Sequence, residues 1–347
     1  MAKYKDFIPE NVAFPHMRRI GIYDSNGNRV GQIPLDTLTP PTTEKRLYSF
    51  GALSDVHISY TTGESDLINA LKYFNNENPV EFICISGDLS DIGIDARLAR
   101  FKTLVDTHSP NTPIYVSGGN HDSYDADWNI RPENEVSASL LTYTGNPLYY
   151  SFERGEDVFI FVGVCGYTEN GSYKGCFSKS ELQWLYETLE RYRNRRCFLF
   201  QHIFSFSGCG NVFGLYDLNM TNNTMYKVFE SLLSHYHNII WFHGHSHTMF
   251  HGQKFGEMAN YDKVYGCHSV HVPSCAIPRT DADGDGTFQR EDQESEGYVV
   301  DVYENGIHLR GRDFVKGEFL PIASYWLDTT LQTVAAGTYK DSTGTIV

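Results

Sequence analysis

Glu81-Phe82-Ile83-Cys84-Ile85-Ser86-Gly87-Asp88 is an apolar run that stops at a glycine and a carboxylate. A run of this length, rich in β-formers and bounded by a turn signal, reads as a buried strand. The pattern recurs on both sides of it. Leu47 to Leu53 runs into Ser54-Asp55-Val56-His57, and Pro113 to Val116 runs into Gly118-Gly119-Asn120-His121-Asp122. Between these strands, Leu67 to Phe74 and Ala96 to Val105 have helical periodicity. Alternation of strand, loop and helix predicts a largely parallel sheet with covered faces. In such a sheet the loops that leave the carboxyl ends of the strands gather at one edge and carry the ligands.

A second β-rich half follows. Tyr149 to Phe152 and Val158 to Val164 read as strands, and Ser180 to Glu190 as an amphipathic helix with Ser178 as its cap. Cys197 to Phe200 runs into Gln201-His202. Asn238 to Phe242 runs into His243-Gly244-His245-Ser246-His247, and Tyr298 to Tyr303 with Gly306 to Arg312 reads as a late hairpin. Upstream, Arg18 to Tyr23 and Arg29 to Pro34 alternate around an Asn-Gly turn, as a hairpin does. The chain is therefore expected to divide into an N-terminal hairpin and linker (1–46), a catalytic domain (47–315) and an extended C-terminal tail (316–347).

With 347 residues, 41% of them hydrophobic and 14% aromatic, the chain can bury a sizeable core. It contains no run of about 18 apolar residues, so no membrane span is expected. The polar stretch from Met1 to Glu10 has no apolar signal-peptide region, which predicts a cytoplasmic protein. A net charge of -15 argues against duplex nucleic acid as a partner, which needs basic residues to displace counterions. It does not argue against a small phosphate ester, since bound divalent ions reverse the local potential. The seven cysteines lack metal-knuckle spacing and read as reduced, mostly buried thiols; a pair among Cys176, Cys209, Cys267 and Cys275 stays open.

Five strand ends thus carry Asp55 and His57, Asp88, Asn120, His202, and His245 and His247. Singly, such residues are commonplace; together, each just past an apolar strand, they read as a metal site. Imidazole and carboxylate ligands suit Mn, Fe or Zn. A carboxylate such as Asp88 has two oxygens and can bridge two ions, while Asn120 offers a neutral carbonyl oxygen. The glycines read as residues that let the backbone turn as it leaves each strand.

Over roughly Leu47 to Arg312 these motifs resemble the calcineurin-like metallophosphoesterases. Gly87-Asp88-Leu89-Ser90-Asp91 with Gly119-Asn120-His121-Asp122 is most similar to the cyclic-nucleotide phosphodiesterase-like branch, although Gln201-His202 stands where that branch often has two histidines. The resemblance implies an α/β fold: a four-layer αββα sandwich of two mixed β-sheets flanked by helices, with the metal site at the C-terminal ends of strands. It implies one ion held by Asp55, His57, Asp88 and His247, and another held by Asp88, Asn120, His202 and His245. A bridging water or hydroxide would attack phosphorus in line. His121 would assist the leaving oxygen, oriented by Asp122. Phosphodiesters are the substrates this branch points to. A phosphomonoesterase or phosphoprotein phosphatase, and a structural or phage-associated module that keeps a metal site, are the alternatives.

Other residues have plainer readings. His243 is expected to be structural, Arg279 solvated or paired, and Tyr124 and Trp128 packed, although these two aromatics also suit a pocket wall for a base or aryl group. Asp281, Asp283, Asp285 and Asp292 follow calcium-loop spacing around Gly286, against a solvated acidic hairpin tip as the alternative.

Overall fold

The computed structural model describes residues 19–23, 29–34, 45–59, 63–169, 172–204, 209, 224–250, 260–264, 266–280, 289–290 and 293–329. Two six-stranded mixed sheets form the centre. The first runs β18 (Glu318–Asp328), β17 (Gly306–Asp313), β16 (Glu296–Val302), β3 (Tyr48–Leu53), β4 (Phe82–Ser86), β5 (Ile114–Ser117). Its β3, β4 and β5 are parallel, and β16 pairs antiparallel with β3. The second runs β12 (Tyr261–Val264), β13 (Cys267–His271), β11 (Ile239–His243), β10 (Cys197–Phe200), β7 (Asp157–Val162), β6 (Tyr149–Arg154), with a parallel centre and antiparallel edges.

Strand alternation sorts the side chains into three cores. Inward-facing Phe50, Ala52, Phe82 and Cys84 of the first sheet meet Phe159, Phe161, Phe198, Phe200 and Phe242 of the second. Phe159 stacks on Phe198 at 4.7 Å and Phe161 on Phe200 at 4.9 Å, while Phe50 meets Phe159 edge-on at 5.3 Å. These are favoured aromatic geometries. On the outer face of the first sheet, Leu53, Ile83 and Ile85 pack on α1 (Gly63–Lys72), α2 (Asp95–His108) and α4 (Glu133–Thr144). The short helix between them, α3, spans Asn120–Ser123. On the outer face of the second sheet, Val158, Ile160 and Trp241 pack on α5 (Lys179–Arg191) and α6 (Thr224–His235). The result is the expected four layers.

The expected cap of α5 is present: Ser178 Oγ accepts from the Glu181 amide at 3.0 Å, and the Glu181 carboxylate accepts from the Ser178 amide at 3.4 Å. The N-terminal hairpin forms as β1 (Arg19–Tyr23) and β2 (Arg29–Pro34), in a two-stranded sheet of their own, and β8 (Cys165–Glu169) and β9 (Ser172–Cys176) form another. All seven cysteines are free and buried, so no disulfide joins them.

The expected tail boundary at 315 needs correcting. β18 completes the first sheet, and its Leu320, Ala323 and Leu327 reach the inter-sheet core. A pairing strand buries these residues, whose spacing alone looks irregular. Residues 330–347 lie outside the described residues. So do Asp281, Asp283, Asp285 and Asp292; only the two ends of that acidic segment are described, paired as β14 (Arg279–Thr280) and β15 (Gln289–Arg290).

Candidate metal centre

Strands β3, β4 and β5 of one sheet and β10 and β11 of the other end on the same side of the sandwich. The loops leaving them bring six of the seven proposed ligands together. Asp55, His57, Asp88 and His247 offer ligand atoms that lie within 4.8 Å of one another, as do Asp88, His202 and His245; Asp88 belongs to both groups. Asn120 begins α3 beside them, and its buried Oδ1 has no hydrogen-bond donor among the described residues.

The backbone at these residues is held in an unfavourable region. Asp55 (φ 52°), His57 (φ 45°), Asp88 (φ 51°), His245 (φ 70°) and His247 (φ 60°) are all left-handed. Non-glycine residues there are uncommon, and each costs of order 1–3 kcal/mol. Main-chain bonds between the loops sustain the strain: the Asp55 amide donates to the Gly87 carbonyl (3.1 Å), and the His57 amide donates to the Asp88 carbonyl (2.9 Å). Reversing φ turns five ligand side chains out of the strand direction and toward one centre.

The motif glycines serve two different purposes. Gly87 does adopt a left-handed φ of 84°. Gly119 and Gly244 do not, and the expectation of a sharp turn is corrected for them. A Cβ on Gly119 would lie 2.1 Å from Asp88 Oδ1, and one on Gly244 would lie 2.3 Å from Asp55 Oδ2. They are glycine because a ligand carboxylate occupies the space of a side chain.

Ring nitrogens are aimed by carbonyls behind them. His202 Nδ1 lies 2.6 Å from the Ser86 carbonyl and His247 Nδ1 lies 3.2 Å from that of Ile277, so each donates there and leaves Nε2 for the centre. His247 Nε2 is 3.2 Å from His57 Nε2 and 3.0 Å from Asp55 Oδ1. His202 Nε2 is 3.1 Å from Asp88 Oδ2. Burial holds His57 well below its ordinary range and His245 down at about 3, so both rings are neutral donors of a lone pair. Burial pushes the Asp55 and Asp88 carboxyls up, but neighbouring imidazoles, those of His247 and His202 foremost, outweigh it and hold both low. Burial lowers His202, yet Asp88 and Asp55 raise it to about 9. Two ionised carboxylates, converging lone pairs and the undonated Asn120 oxygen fit hard to borderline divalent cations. Removing these groups from water without such cations is costly.

His121 sits beside this centre, with its ring edge-on to His57 at 4.7 Å. Its amide donates to Asp88 Oδ1 at 2.9 Å, which ties its position to the shared carboxylate. Its orientation comes from Asp91, not from Asp122: Nδ1 lies 2.8 Å from the Asp91 carbonyl and 3.9 Å from Asp91 Oδ1. Asp122 is fully buried. It accepts from the amides of Gly119 (2.9 Å), Leu89 (3.0 Å) and Ser90 (3.0 Å) and from Ser90 Oγ (3.1 Å). It therefore staples the Asp88 loop to the Asn120 loop. A carboxylate next to histidine in sequence looked like its partner, but on a helical turn adjacent side chains diverge. Asp91 is the residue that sequence reasoning missed, although it closes a quoted motif. Ser274, whose Oγ donates to the Asp55 carbonyl at 2.9 Å, carried no signal.

His243 and His271 belong to neither ligand group. His243 Nε2 meets Ser269 Oγ at 2.9 Å, and His271 Nε2 meets the Thr248 carbonyl at 2.8 Å. The Arg279 amide donates to the His247 carbonyl at 2.8 Å. No described helix is long and apolar enough to cross a membrane.

Comparison with known proteins bears on the same region. The calcineurin-like phosphoesterase family model matches residues 48–249. A zebrafish (Danio rerio) "transmembrane protein with metallophosphoesterase domain" is 33% identical over 136 residues, which are 38% of this chain and 30% of that protein. The chain thus matches less than a third of the length of that relative. Among solved structures, the Haemophilus influenzae NAD nucleotidase superposes with a TM-score of 0.37 at 11% identity, covering 79% of this chain and 59% of that one. A hypothetical protein from Pyrococcus horikoshii OT3 gives 0.36 at 9% identity, covering 82% and 88%. At such scores neither likeness bears on the reaction.

Proposed function

Since this chain belongs to the calcineurin-like phosphoesterase family, whose chemistry is metal-dependent hydrolysis of phosphoesters, we propose that it cleaves phosphodiesters at a centre that holds two divalent cations. The observation that carries the two-ion reading is the sharing of Asp88 between two groups of converging ligands. Asp55, His57, Asp88 and His247 would hold one ion, and Asp88, Asn120, His202 and His245 the other. Bound, such cations activate water and neutralise phosphate charge.

The remaining work falls to the chain. A water oxygen bonds to phosphorus as the opposite ester P–O bond breaks, and it releases one proton to solvent, from which His121 is later reprotonated. His121, with Nδ1–H held by the Asp91 carbonyl, gives its Nε2 proton to the departing oxygen. Products are an alcohol and a phosphomonoester. Diester preference is supported by the branch motif and by charge. The Asp91 carboxylate lies 3.9 Å from His121 Nδ1, and this negative charge disfavours the second charge of a monoester.

The test is turnover of bis(p-nitrophenyl) phosphate against p-nitrophenyl phosphate. The protein is first chelated, then restored with Mn, Zn or Mg while metal content is measured. Activity should vanish and return with two cations per chain, with the diester preferred. Full activity at one cation per chain overturns the two-ion centre. A monoester favoured by roughly tenfold, about 1.4 kcal/mol, overturns the diester reading.

A further inference from the structure

Trp128 was expected to be packed, yet more than half of it, 54%, stays exposed. The residue is held there by its loop. Its φ of 63° is left-handed, which is rare for a bulky side chain. Asp125 Oδ1 accepts from the amides of Asp127 and Asn129, both at 2.9 Å. The Trp128 amide donates to the Asp125 carbonyl at 3.1 Å, and the Asp125 amide donates to the Asn129 carbonyl at 2.9 Å. Four bonds thus pin a five-residue loop in a strained shape whose most conspicuous result is an indole in solvent.

That indole stands beside the proton donor. Its ring centroid is 5.8 Å from the His121 ring, at an interplanar angle of 84°. Tyr124 lies 5.6 Å from Trp128 and 6.0 Å from His121. The same His121 ring also meets His57 of the candidate centre at 4.7 Å, so His121 has the centre and the indole as its two neighbours. A leaving oxygen within hydrogen-bond reach of His121 would bring its substituent within reach of these two rings. Asp127 and the turn carboxylate of Asp125 make this wall acidic. Arg131, the arginine that follows this loop, is engaged: it donates to Ser139 Oγ (2.9 Å) and to the Asp122 carbonyl (2.8 Å).

We infer that Trp128, with Tyr124, forms the leaving-group wall of the site and selects phosphodiesters whose departing alcohol carries an uncharged aromatic ring, such as an aryl group or a nucleoside base, over aliphatic alcohols and over groups bearing further phosphates. This rests on the hydrolase reading above. Trp128 is a specificity residue: it touches the leaving group but moves no proton.

The experiment pairs methyl benzyl phosphate with methyl cyclohexylmethyl phosphate, whose alkoxides have similar basicity but differ in aromaticity. Both are assayed on the Mn-loaded full chain as wild type, Trp128→Ala and Trp128→Phe. The alanine variant should lose about tenfold in kcat/KM on the benzyl ester, equivalent to ~1.4 kcal/mol of ring stacking, and stay within about twofold on the cyclohexylmethyl ester. Phenylalanine should restore most of the loss. Equal losses on both esters, or none on either, overturn the inference. A second measurement does not need turnover. Calorimetric binding of methyl 2-phenylethylphosphonate and its 2-cyclohexylethyl counterpart, with a non-hydrolysable P–C bond, should show the same split; equal affinities in wild type overturn the inference. Wild type that cleaves neither p-nitrophenyl substrate with any metal defeats the hydrolase reading instead, and the binding measurement still decides the wall.

Discussion

Gly244→Ala tests whether a ligand carboxylate really occupies the space of a side chain. The new Cβ would lie 1.8 Å from Ser54 Oγ and 2.3 Å from Asp55 Oδ2, where ordinary contact begins near 3.4 Å. Ser54 can escape by rotating, at the expense of its 2.9 Å bond to the Ser86 carbonyl, worth about 1 kcal/mol. Asp55 has less freedom. It takes bonds from the His245 amide at 3.2 and 3.1 Å, faces His247 Nε2 at 3.0 Å, and sits on a left-handed backbone fixed to Gly87. Its carboxylate must therefore move by about 1 Å. Disturbing the supports of a ligand typically lowers metal affinity by about 10–100-fold, or about 1.4–2.7 kcal/mol. The assay is calorimetric titration of Mn into chelated wild type, Gly244→Ala and Gly145→Ala. Gly145 caps α4 at φ 76°, and a Cβ there would meet nothing within 4 Å. Its alanine variant should lose about 1 kcal/mol of folding stability from backbone strain and bind Mn as wild type does. Unchanged affinity in Gly244→Ala, or equal losses in the two variants, would refute the close-approach argument.

Asp88→Asn should lose activity and at least one ion, and anomalous scattering from the wild-type protein grown with Mn should reveal two peaks about 3.5–4 Å apart; a single peak counts against the shared ligand. His121→Ala should keep its metal content while turnover falls by about 10²–10⁴-fold on esters with poor leaving groups; loss of metal would make His121 a ligand. Glu181 supplies a pH dependence. Burial pushes this fully buried carboxyl well above its ordinary value, so the fold favours the neutral acid. Its stabilising contribution is complete below the unfolded pKa near ~4.3 and is lost as pH rises through the folded value. Glu181→Gln should remove that loss, so in urea unfolding the advantage of the variant over wild type should grow with pH; a difference that is flat or shrinks with pH contradicts the sign.

The legible parts of this protein were those with strong local periodicity. β3, β4, β5, β10 and β11 are short apolar runs that end in ligand-type residues, and each lies within a residue or so of its expected place. Helix α5 announced itself through Ser178 and Glu181. Helix α4 did not: it buries only Val136 and Leu140, too few to mark a face. Strand β18 was read as tail because its apolar positions gain meaning only when β17 pairs with it.

The same division runs through the site. Sequence alone determined which residues stand at five strand ends, and hence which donor types the candidate centre offers, because residue type and strand termination are local properties. Tertiary structure decided which neighbour each residue acts upon. Asp122 turned from an expected partner of His121 into a staple between loops, and Asp91 took over the orienting role, because only the packing of the β4 and β5 loops sets that contact. Gly119 and Gly244 proved to be spaces for carboxylates from other strands, and Trp128 proved exposed. These outcomes depend on distances between segments dozens of residues apart, which no local pattern encodes.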